Sequence, residues 1–440
     1  MAVDYDLVIL GGSLEGRYAA ALAARHRRRV ALIEPQPQLD PLPLALQTLG
    51  YWAQFIQQSQ EVSAAHLLTP AQGLNLPQAL AWGQAVEQSH APHLSPGALS
   101  ALGVDYLVGE AEFFPLPQPA IIVNHRTLRS RRYLLALPST PQTPPPDLED
   151  PDSTPYLTPQ TLWHSDLPPH LLMVGGSPLA LSLAQALQRL GKQITLVLPG
   201  RLLPSEDPEI SQHLHGQLAA LGVEIIPQSP ISQLRYIPPK KWVQAGNKAL
   251  CADEIIWATG YSPQTANLHL ESVGVTPTDK GIPVNRKLQT SHPQIYAIGN
   301  SLGGYPSPHI AQYEATIAVK NALFFPYHSV NYTTVSYQVN LYPPLVRIGL
   351  TEKQARGNYG EDLVILKPAF HHDIASLIGN QTRGFSKIIL QPKGQILGAH
   401  FLSFQGGEII EALGLAMRQQ IPFGQLKEHL PIFNSISSVG

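Results

Sequence analysis

The chain has 440 residues, enough for about two to four domains with sizeable hydrophobic cores. Its formal net charge of −2 argues against nucleic-acid binding or anionic-membrane binding driven by overall charge. The single cysteine, Cys251, excludes an intramolecular disulfide and a cysteine-rich metal site, and we interpret it as a small buried residue. No apolar run is long enough for a membrane span, and the N-terminus has no signal-peptide pattern. The sequence therefore predicts a cytoplasmic protein without a membrane span.

The first pattern along the chain is a strand, a tight turn, a helix and a second strand within residues 6–34. In a dinucleotide-binding unit, turn glycines let the backbone approach the pyrophosphate, helix amides face it, and an acid at the second strand end binds the ribose. Ser13 replaces the middle glycine of that fingerprint. The predicted site comprises Gly11, Gly12, Ser13, Gly16 and Glu34. A parallel α/β unit without a nucleotide remains the alternative.

Less specific patterns follow the first unit. The RHRRR run at residues 25–29 ends the predicted helix, where cations meet the negative pole of the helix dipole, so we interpret it as a solvated cap. Residues 35–103 contain two helical patterns, whose aromatic residues we expect in a core: Tyr51, Trp52, Phe55 and Trp82. From residue 104, short apolar runs predict a small sheet that completes the first domain. Residues 137–159 form a proline-rich connector.

A second strand, turn and helix pattern begins after that connector. Gly175 and Gly176 follow an apolar run, and Pro178 lies at a favourable first helical position. Ser177 and Ala180 replace the second and third fingerprint glycines, and Leu198 occupies the position of the ribose-binding acid. We therefore expect a less secure nucleotide site here. Arg201 can pair with a 2′-phosphate, which slightly favours NADPH over NADH, although an exposed loop arginine is at least as good an interpretation.

The last part of the chain predicts further strands and helices. One strand ends at Gly260 and another at Gly299, and a helical pattern from His309 presents its N-terminus close behind the second strand end. A helix end aimed this way can stabilise negative charge on a reduced flavin. From residue 331 the pattern becomes α+β without a glycine-rich turn, and it includes a helix at residues 407–419.

This order of patterns resembles the pyridine nucleotide-disulfide oxidoreductases, the family of glutathione reductase, dihydrolipoamide dehydrogenase and mercuric reductase. The most specific segments are LLPSEDPEISQHL at 202–214, GIPVNRKLQTSHPQIYAIGN at 281–300, IGLTEKQAR at 348–356 and TRGFSKIILQPKGQILGAHFL at 382–402. The resemblance implies an α/β fold with two Rossmann-like dinucleotide-binding domains plus a C-terminal α+β dimerisation domain.

The resemblance also implies domains and cofactor sites. It implies an FAD-binding domain at residues 1–150 and 265–330, an NAD(P)-binding-like domain at 151–264, and a homodimer formed through residues 331–440. Residues that it adds to the FAD candidates are Ala111, Gly260, Gly299, Asn300, His309 and Ala311. Asn300 stands where the family has Asp, and Ala136, Leu137 and Pro138 lie in place of the first of two ATG turns. Gly175, Gly176, Ser177 and Arg201 are the candidates at the second nucleotide.

The residues that carry the family's dithiol chemistry are missing from their expected positions. Residues 35–60 contain no cysteine, and the C-terminal acid-base dyad is replaced at Leu430 and Ser435, with His429 displaced by one position. Ser182 replaces a glutamate that pairs with a lysine beside the flavin, and the first lysine in the chain is Lys192. Dithiol exchange needs a thiolate and a proton donor, so this chemistry is not expected.

Two functional hypotheses follow. The first is an FAD-dependent flavoprotein oxidoreductase without a disulfide relay, whose use of NAD(P)H is doubtful and whose electron donor or acceptor, including a partner protein, is left open. The second is a non-catalytic family descendant that acts as a binding or scaffold homodimer. No metal site is predicted, because His371, His372 and Asp373 lack ligand spacing.

Overall fold

The computed structural model describes residues 3–35, 47–55, 76–90, 92–115, 118–145, 148, 154–303, 307–367 and 384–429. Its helices are α1 Leu14–Arg25, α2 at residues 47–55, α3 Leu76–His90, α4 Pro96–Ala101, α5 Pro178–Arg189, α6 Pro208–Ala220, α7 Pro308–Leu323, α8 Glu352–Tyr359, α9 Gly406–Gln419 and α10 Phe423–His429. The strands are β1 Tyr5–Leu10, β2 Val30–Glu34, β3 Val104–Val108, β4 Ala111–Pro115, β5 Pro119–Val123, β6 Arg126–Leu135, β7 Ser139–Pro141, β8 His170–Val174, β9 Gln193–Val197, β10 Glu224–Ile226, β11 Ile231–Ile237, β12 Lys240–Ala245, β13 Lys248–Ala252, β14 Glu254–Trp257, β15 Tyr261–Pro263, β16 Ile295–Ala297, β17 Tyr337–Val339, β18 Leu345–Gly349, β19 Val364–Leu366, β20 Phe385–Leu390 and β21 Ile396–Leu402.

The first sheet has the strand order β3-β2-β1-β6-β5-β4, and β16 pairs with β6. Strands β1, β2, β3, β6 and β16 run parallel, whereas β4, β5 and β6 form an antiparallel meander. The short apolar runs predicted from residue 104 form β3 to β6, of which β3 and β6 also extend the parallel sheet. Fully buried Ala19, Ala20 and Ala23 bring α1 close to this sheet and to α7. The carboxyl ends of β1, β2, β6 and β16 consequently meet at one edge, where doubly wound folds bind ligands.

The second parallel sheet has the order β10-β9-β8-β14, and an antiparallel sheet β11-β12-β13 accompanies it. The C-terminal sheet is antiparallel, in the order β17-β18-β21-β20-β19. It packs against α9, whose buried Ile409, Ile410 and Leu413 recur at helical spacing. The predicted α/β fold with two Rossmann-like units and an α+β C-terminal region is confirmed.

The chain forms two compact units, each with its own core. One unit comprises Met1–Leu44, Ala81–Gln142 and Tyr261–Asn331, and the other comprises Ala45–Leu80, Thr143–Gly260 and Tyr332–Gly440. Both nucleotide-type turns therefore lie within single units. Among the described residues, none of the helices combines the length and the hydrophobicity needed to cross a bilayer.

Two expectations about burial are wrong. Tyr51, Phe55 and Trp82 are exposed, at 65%, 48% and 59%, and Trp52 is only half-buried. The aromatic rings on α2 make edge contacts with one another along that helix instead of entering a buried cluster. Cys251 is half-buried in β13 rather than buried, because it lies in a three-stranded sheet opposite the partly exposed Trp242.

Candidate dinucleotide-binding sites

The first turn connects β1 to α1 and has the backbone geometry of a dinucleotide turn. Gly11 has φ +109°, and a Cβ there would overlap the carbonyl oxygen of Ala136, so only glycine fits. Ser13 is the N-cap of α1: its hydroxyl donates to Ala136 O at 3.1 Å and accepts from the Gly16 N–H at 3.3 Å. A Cβ at Gly16 would overlap Gly11 O, so this glycine permits close packing of helix and turn. The backbone of the predicted fingerprint is present.

The predicted ribose-binding acid is already paired. The carboxylate of Glu34 accepts from Arg17 Nη2, at 3.0 Å to Oε1 and 3.3 Å to Oε2, and both side chains are buried. Burial raises the pKa of Glu34, and the Arg17 guanidinium only partly offsets that rise. The carboxylate also covers Gly12, since a Cβ on Gly12 would overlap Glu34 Oε2. Binding of ribose by Glu34 therefore requires it to share or exchange the Arg17 interaction.

A second carboxylate lies at the same helix end and was not found from the sequence. Glu15 is in the first turn of α1 with 8% exposure, and a Cβ on Gly299 would overlap its Oε1. Glu314 of α7, also buried, accepts from the Gly299 N–H at 2.7 Å. Gly299 has φ +58°, so the turn after β16 carries a left-handed residue between two carboxylates. Only the three-dimensional pairing of distant segments reveals this arrangement.

The turn after β16 is tied to the end of β6. The hydroxyl of fully buried Ser301 accepts from the Leu137 N–H at 2.7 Å and donates to Leu135 O at 3.1 Å. Half-buried Asn300 follows Gly299 in this turn, and its carbonyl accepts from the Gly303 N–H at 3.1 Å. Leu137, which replaces a family ATG residue, thus keeps a backbone link to this edge through a serine that sequence reasoning missed.

The remaining first-site candidates differ in exposure. Exposed His309 and buried Ala311 lie in the first turn of α7, whose N-cap Ser307 makes no side-chain capping bond. Ala111 is buried in β4, in the same core as Leu10 and Leu135. Gly260 is half-buried between β14 and β15, in the other compact unit. The turns at Gly11 and Gly299 and the start of α7 belong to one unit.

The second turn reproduces the capping geometry of the first. Gly175 has φ +140°, and a Cβ there would overlap Ala258 O. Ser177 caps α5: its hydroxyl donates to Ala258 O at 3.1 Å and accepts from the Ala180 N–H at 3.2 Å. The two turns therefore have the same backbone and N-cap geometry. A difference in nucleotide binding between them must come from their side chains.

The side chains around the second turn are apolar where the first turn is charged. The buried Leu198 side chain lies over Gly176, with its Cδ2 3.3 Å from where a Gly176 Cβ would be. The loop after it folds back, because the Leu203 N–H donates to Gly176 O at 3.2 Å, and Arg201 stays exposed. The Ser182 hydroxyl donates to Pro178 O at 2.9 Å, within α5. Hydrogen-bond acceptors for a ribose are thus missing at the Leu198 position.

An ionic cluster around buried Lys387 joins three of the segments that carried the family resemblance. Lys387, 2% exposed, lies 3.2 Å from Asp207, 2.9 Å from Glu209 and 2.5 Å from Glu352. Burial alone would raise the pKa of Glu352, but hydrogen bonds from Lys387 and Arg356 lower it below its ordinary value. The cluster connects α6, α8 and β20 within one unit, so we assign it a structural role.

Several sequence candidates fall outside the described residues. These are Leu430, Pro431 and Ser435 of the altered acid-base dyad and the His371, His372 and Asp373 group. Within the described ranges there is no cluster of three or more His, Cys, Asp or Glu residues that could hold a metal ion.

The first site can be tested for its fit to FAD, the cofactor that the resemblance implies. The Gly11 turn, the capped N-terminus of α1 and the acid at the end of β2 fit an adenosine diphosphate group. The carboxylate of Glu15 opposes that fit, because it adds negative charge at the helix end that would face the phosphates. The site therefore fits an FAD-type dinucleotide through its backbone, whereas the buried Glu15 carboxylate against Gly299 opposes that fit.

Comparison with known proteins agrees with this architecture. A family model described as pyridine nucleotide-disulphide oxidoreductase matches residues 5–315, and its dimerisation-domain model matches residues 335–438. The chain is 31% identical to a mercuric reductase of Staphylococcus aureus, over 72% of this chain and 58% of that protein. It is 26% identical to a dihydrolipoyl dehydrogenase of Bacillus subtilis, over 94% and 92% of the two chains. The alignments span 55% to 60% of the length of the first three mercuric reductases compared.

Solved structures share the fold. The HOCl-induced flavoprotein disulfide reductase RclA of Escherichia coli superposes with a TM-score of 0.79 at 23% identity, covering 96% of this chain and 95% of that one. LpdA of Mycobacterium tuberculosis gives 0.84 at 22% identity, with the same coverage. Because family models match most of the sequence, the chain belongs to the pyridine nucleotide-disulphide oxidoreductase family.

Proposed function

We propose that this protein is an FAD-dependent flavoprotein oxidoreductase that transfers electrons through the flavin itself, without a disulfide relay. The observation that carries the proposal is the first turn, where Gly11, the Ser13 cap and buried Glu34 form a dinucleotide-type backbone beside the turn at Gly299. Family membership supports FAD, and the single cysteine in the chain supports the loss of an intramolecular relay.

The roles of individual residues follow from their positions in this unit. The backbone N–H groups at the start of α1 would hold the pyrophosphate, and Glu34 would hold the ribose after exchanging part of its bond to Arg17. Gly299 and Asn300 would hold the ribityl chain, and the N-terminus of α7 would favour negative charge on the ring. When bound, FAD supplies the one- and two-electron chemistry.

The second site supports only weak use of NAD(P)H. Leu198 presents methyl groups where a ribose needs an acceptor, and Ser182 uses its hydroxyl within α5. NAD(P)H would be a weak electron donor, and exposed Arg201 favours NADPH over NADH because it can pair with the 2′-phosphate. A different donor or acceptor, such as a partner protein, would then exchange electrons with the flavin.

Assembly and location complete the proposal. The match of residues 335–438 to a dimerisation domain supports a homodimer with the boundaries 1–150 and 265–330, 151–264, and 331–440 for its three parts. A cytoplasmic location agrees with the sequence patterns. Light scattering at micromolar concentration should give twice the 47.9 kDa chain mass, and a mass equal to one chain would refute the dimer.

A second candidate is the non-catalytic homodimer that keeps the fold as a binding scaffold. The specific observation in its favour is the charge at the first turn, where Arg17 already pairs with Glu34 and Glu15 lies against Gly299. The Arg17 interaction already occupies the Glu34 carboxylate that the FAD ribose would need, and the Glu15 carboxylate would repel the FAD phosphates. A protein that never takes up FAD would fit this candidate.

FAD uptake by a matched pair of variants tests the first proposal. Gly12→Ala places a Cβ 1.1 Å from Glu34 Oε2 and 2.8 Å from Glu34 Cβ, so the buried, Arg17-paired side chain must move, whereas Gly176→Ala comes no closer than 3.0 Å to Arg201 O in the second turn. We expect purified wild-type protein to bind FAD and to release it on denaturation. Gly12→Ala should weaken FAD at least tenfold, and Gly176→Ala should leave it unchanged. Wild-type protein that stays colourless with excess FAD would refute the proposal.

A further inference from the structure

The ends of α1 and α7 form a surface that the proposed electron transfer does not use. It comprises residues 25–29 (RHRRR) with Phe324, Phe325 and Tyr327, and we call it the basic aromatic patch. The three aromatic side chains are 50%, 65% and 75% exposed. The ring of Phe324 meets the ring of His26 edge-on at 5.4 Å, and the Arg28 guanidinium lies 5.4 Å from the Phe324 ring centre. The basic run therefore does more than cap the helix, because His26 and Arg28 contact the exposed Phe324 ring.

The two chain segments that form this patch carry no acidic side chains. Neither residues 16–33 nor residues 315–331 contain Asp or Glu, and Arg25 and Arg27 are exposed. Asp6 accepts from the Arg29 backbone N–H at 3.0 Å and pairs with Arg131 at 3.5 Å. Asp6 therefore contacts the run through the Arg29 backbone, and its ion pair is with an arginine outside the run. Phe325 and Tyr327 contact each other, with ring centres 4.8 Å apart, and form an apolar pair beside this charge.

We propose that the basic aromatic patch binds the surface of a membrane that contains anionic phospholipids. Arginines attract the phosphate headgroups, while Phe and Tyr rings suit the boundary between headgroups and acyl chains. The net charge of −2 argues against a membrane or a nucleic acid held by overall charge, so binding depends on this local patch, where the exposed Phe325 and Tyr327 ring pair favours a lipid boundary. The patch lies within one compact unit and requires no bound cofactor, so the proposal is independent of the proposed electron transfer.

Vesicle co-sedimentation of the full-length protein tests the proposal. The vesicles contain three parts phosphatidylcholine to one part phosphatidylglycerol, with pure phosphatidylcholine vesicles as the uncharged comparison. Each arginine near an anionic surface contributes about fivefold to binding, so Arg25→Gln with Arg27→Gln should weaken partitioning about 25-fold. Phe325→Ser with Tyr327→Ser should weaken it about tenfold or more, because ring burial is lost.

Matched controls separate the patch from general charge and hydrophobicity. Arg235→Gln with Lys248→Gln removes the same charge from exposed strand positions, and Phe114→Ser with Tyr359→Ser removes exposed rings elsewhere. Both control pairs should bind vesicles as the wild type does. About 1 M salt, where the screening length is about 3 Å, should abolish most binding.

The results decide between defined alternatives. Binding to anionic vesicles that falls only in the two patch variants supports the proposal. Equal loss in patch and control variants, or no wild-type binding to anionic vesicles, overturns it. Binding to single-stranded poly(U) that depends on the same residues, without vesicle binding, would also overturn it and assign the patch to RNA. Circular dichroism and FAD uptake of each variant establish that the fold is retained.

Discussion

Replacement of Glu15 is the sharpest test of the first site. Glu15 is 8% exposed in the first turn of α1, and its carboxylate lies against Gly299. FAD would bring a diphosphate to the same helix end, where it would compete with the Glu15 carboxylate for the positive pole of the helix dipole. Removal of the carboxylate in Glu15→Ala should therefore tighten FAD binding.

The expected size of this effect follows from simple electrostatics. At an effective dielectric constant of about 20, two unit charges about 4 Å apart repel by about 4 kcal/mol. Rearrangement of the Glu15 side chain relieves part of this repulsion when the ligand binds. Loss of the glutamate also removes about 0.3 to 1 kcal/mol of favourable helix-dipole interaction from the cofactor-free protein. We expect the Kd for FAD to fall at least tenfold.

The Kd for FAD is measured by titrating cofactor-free protein with FAD and monitoring heat release by calorimetry and the quenching of flavin fluorescence. Glu15→Gln keeps the size of the side chain and removes its charge, so it should recover most of the effect if charge is the cause. Glu408→Ala removes an exposed acid from the first turn of α9 and serves as the matched control. Tight wild-type binding that Glu15→Ala leaves unchanged would refute the electrostatic reasoning, while the proposed function would stand. Failure of all variants to bind FAD would refute both.

Further outcomes are expected from the other charged and apolar groups. Arg17→Met should lower the free energy of unfolding by about 3 to 5 kcal/mol, because Glu34 would stay buried without its partner. Chemical denaturation of the Arg17→Met, Glu34→Gln double variant should show that much of this free energy is recovered. Lys387→Met should destabilise its unit by a similar amount. In the wild type, the lowered pKa of Glu352 contributes stability that is present above about pH 4.3 and is lost as the pH falls further. Thermal unfolding measured across this pH range should detect the loss, and a stability that does not change with acid would contradict the linkage. FAD-loaded protein should be reduced by NADH and NADPH far more slowly than by dithionite in anaerobic stopped flow; fast bleaching that saturates at micromolar nicotinamide would show that Leu198 does not impair the second site.

The sequence predicted the backbone of both turns better than their side-chain environments. Gly11 and Gly175 were predictable because tight strand-to-helix turns restrict residue choice locally, and Pro178 at the first position of α5 follows the same local logic. Glu15 could not be assigned, since its significance depends on Gly299, which is distant in sequence. The exposed Tyr51 was wrongly placed in a core, because an aromatic residue in a helical pattern does not reveal whether a second layer covers it.

Comparison of the two turns argues that the Arg17–Glu34 ion pair of the first turn serves binding rather than stability. The same interval along the chain places Leu179, Leu181 and Leu198 in the second unit where the first has Glu15, Arg17 and Glu34, and all six side chains are buried. Replacing a buried ion pair with well-packed apolar residues is often neutral or stabilising. The second unit is an example within the same molecule, since its turn has the same capping geometry with leucines. Stability alone therefore does not require charge at the first turn. A ligand that exchanges with the Arg17 and Glu34 pair does require it, and this favours a dinucleotide at the first site and not at the second.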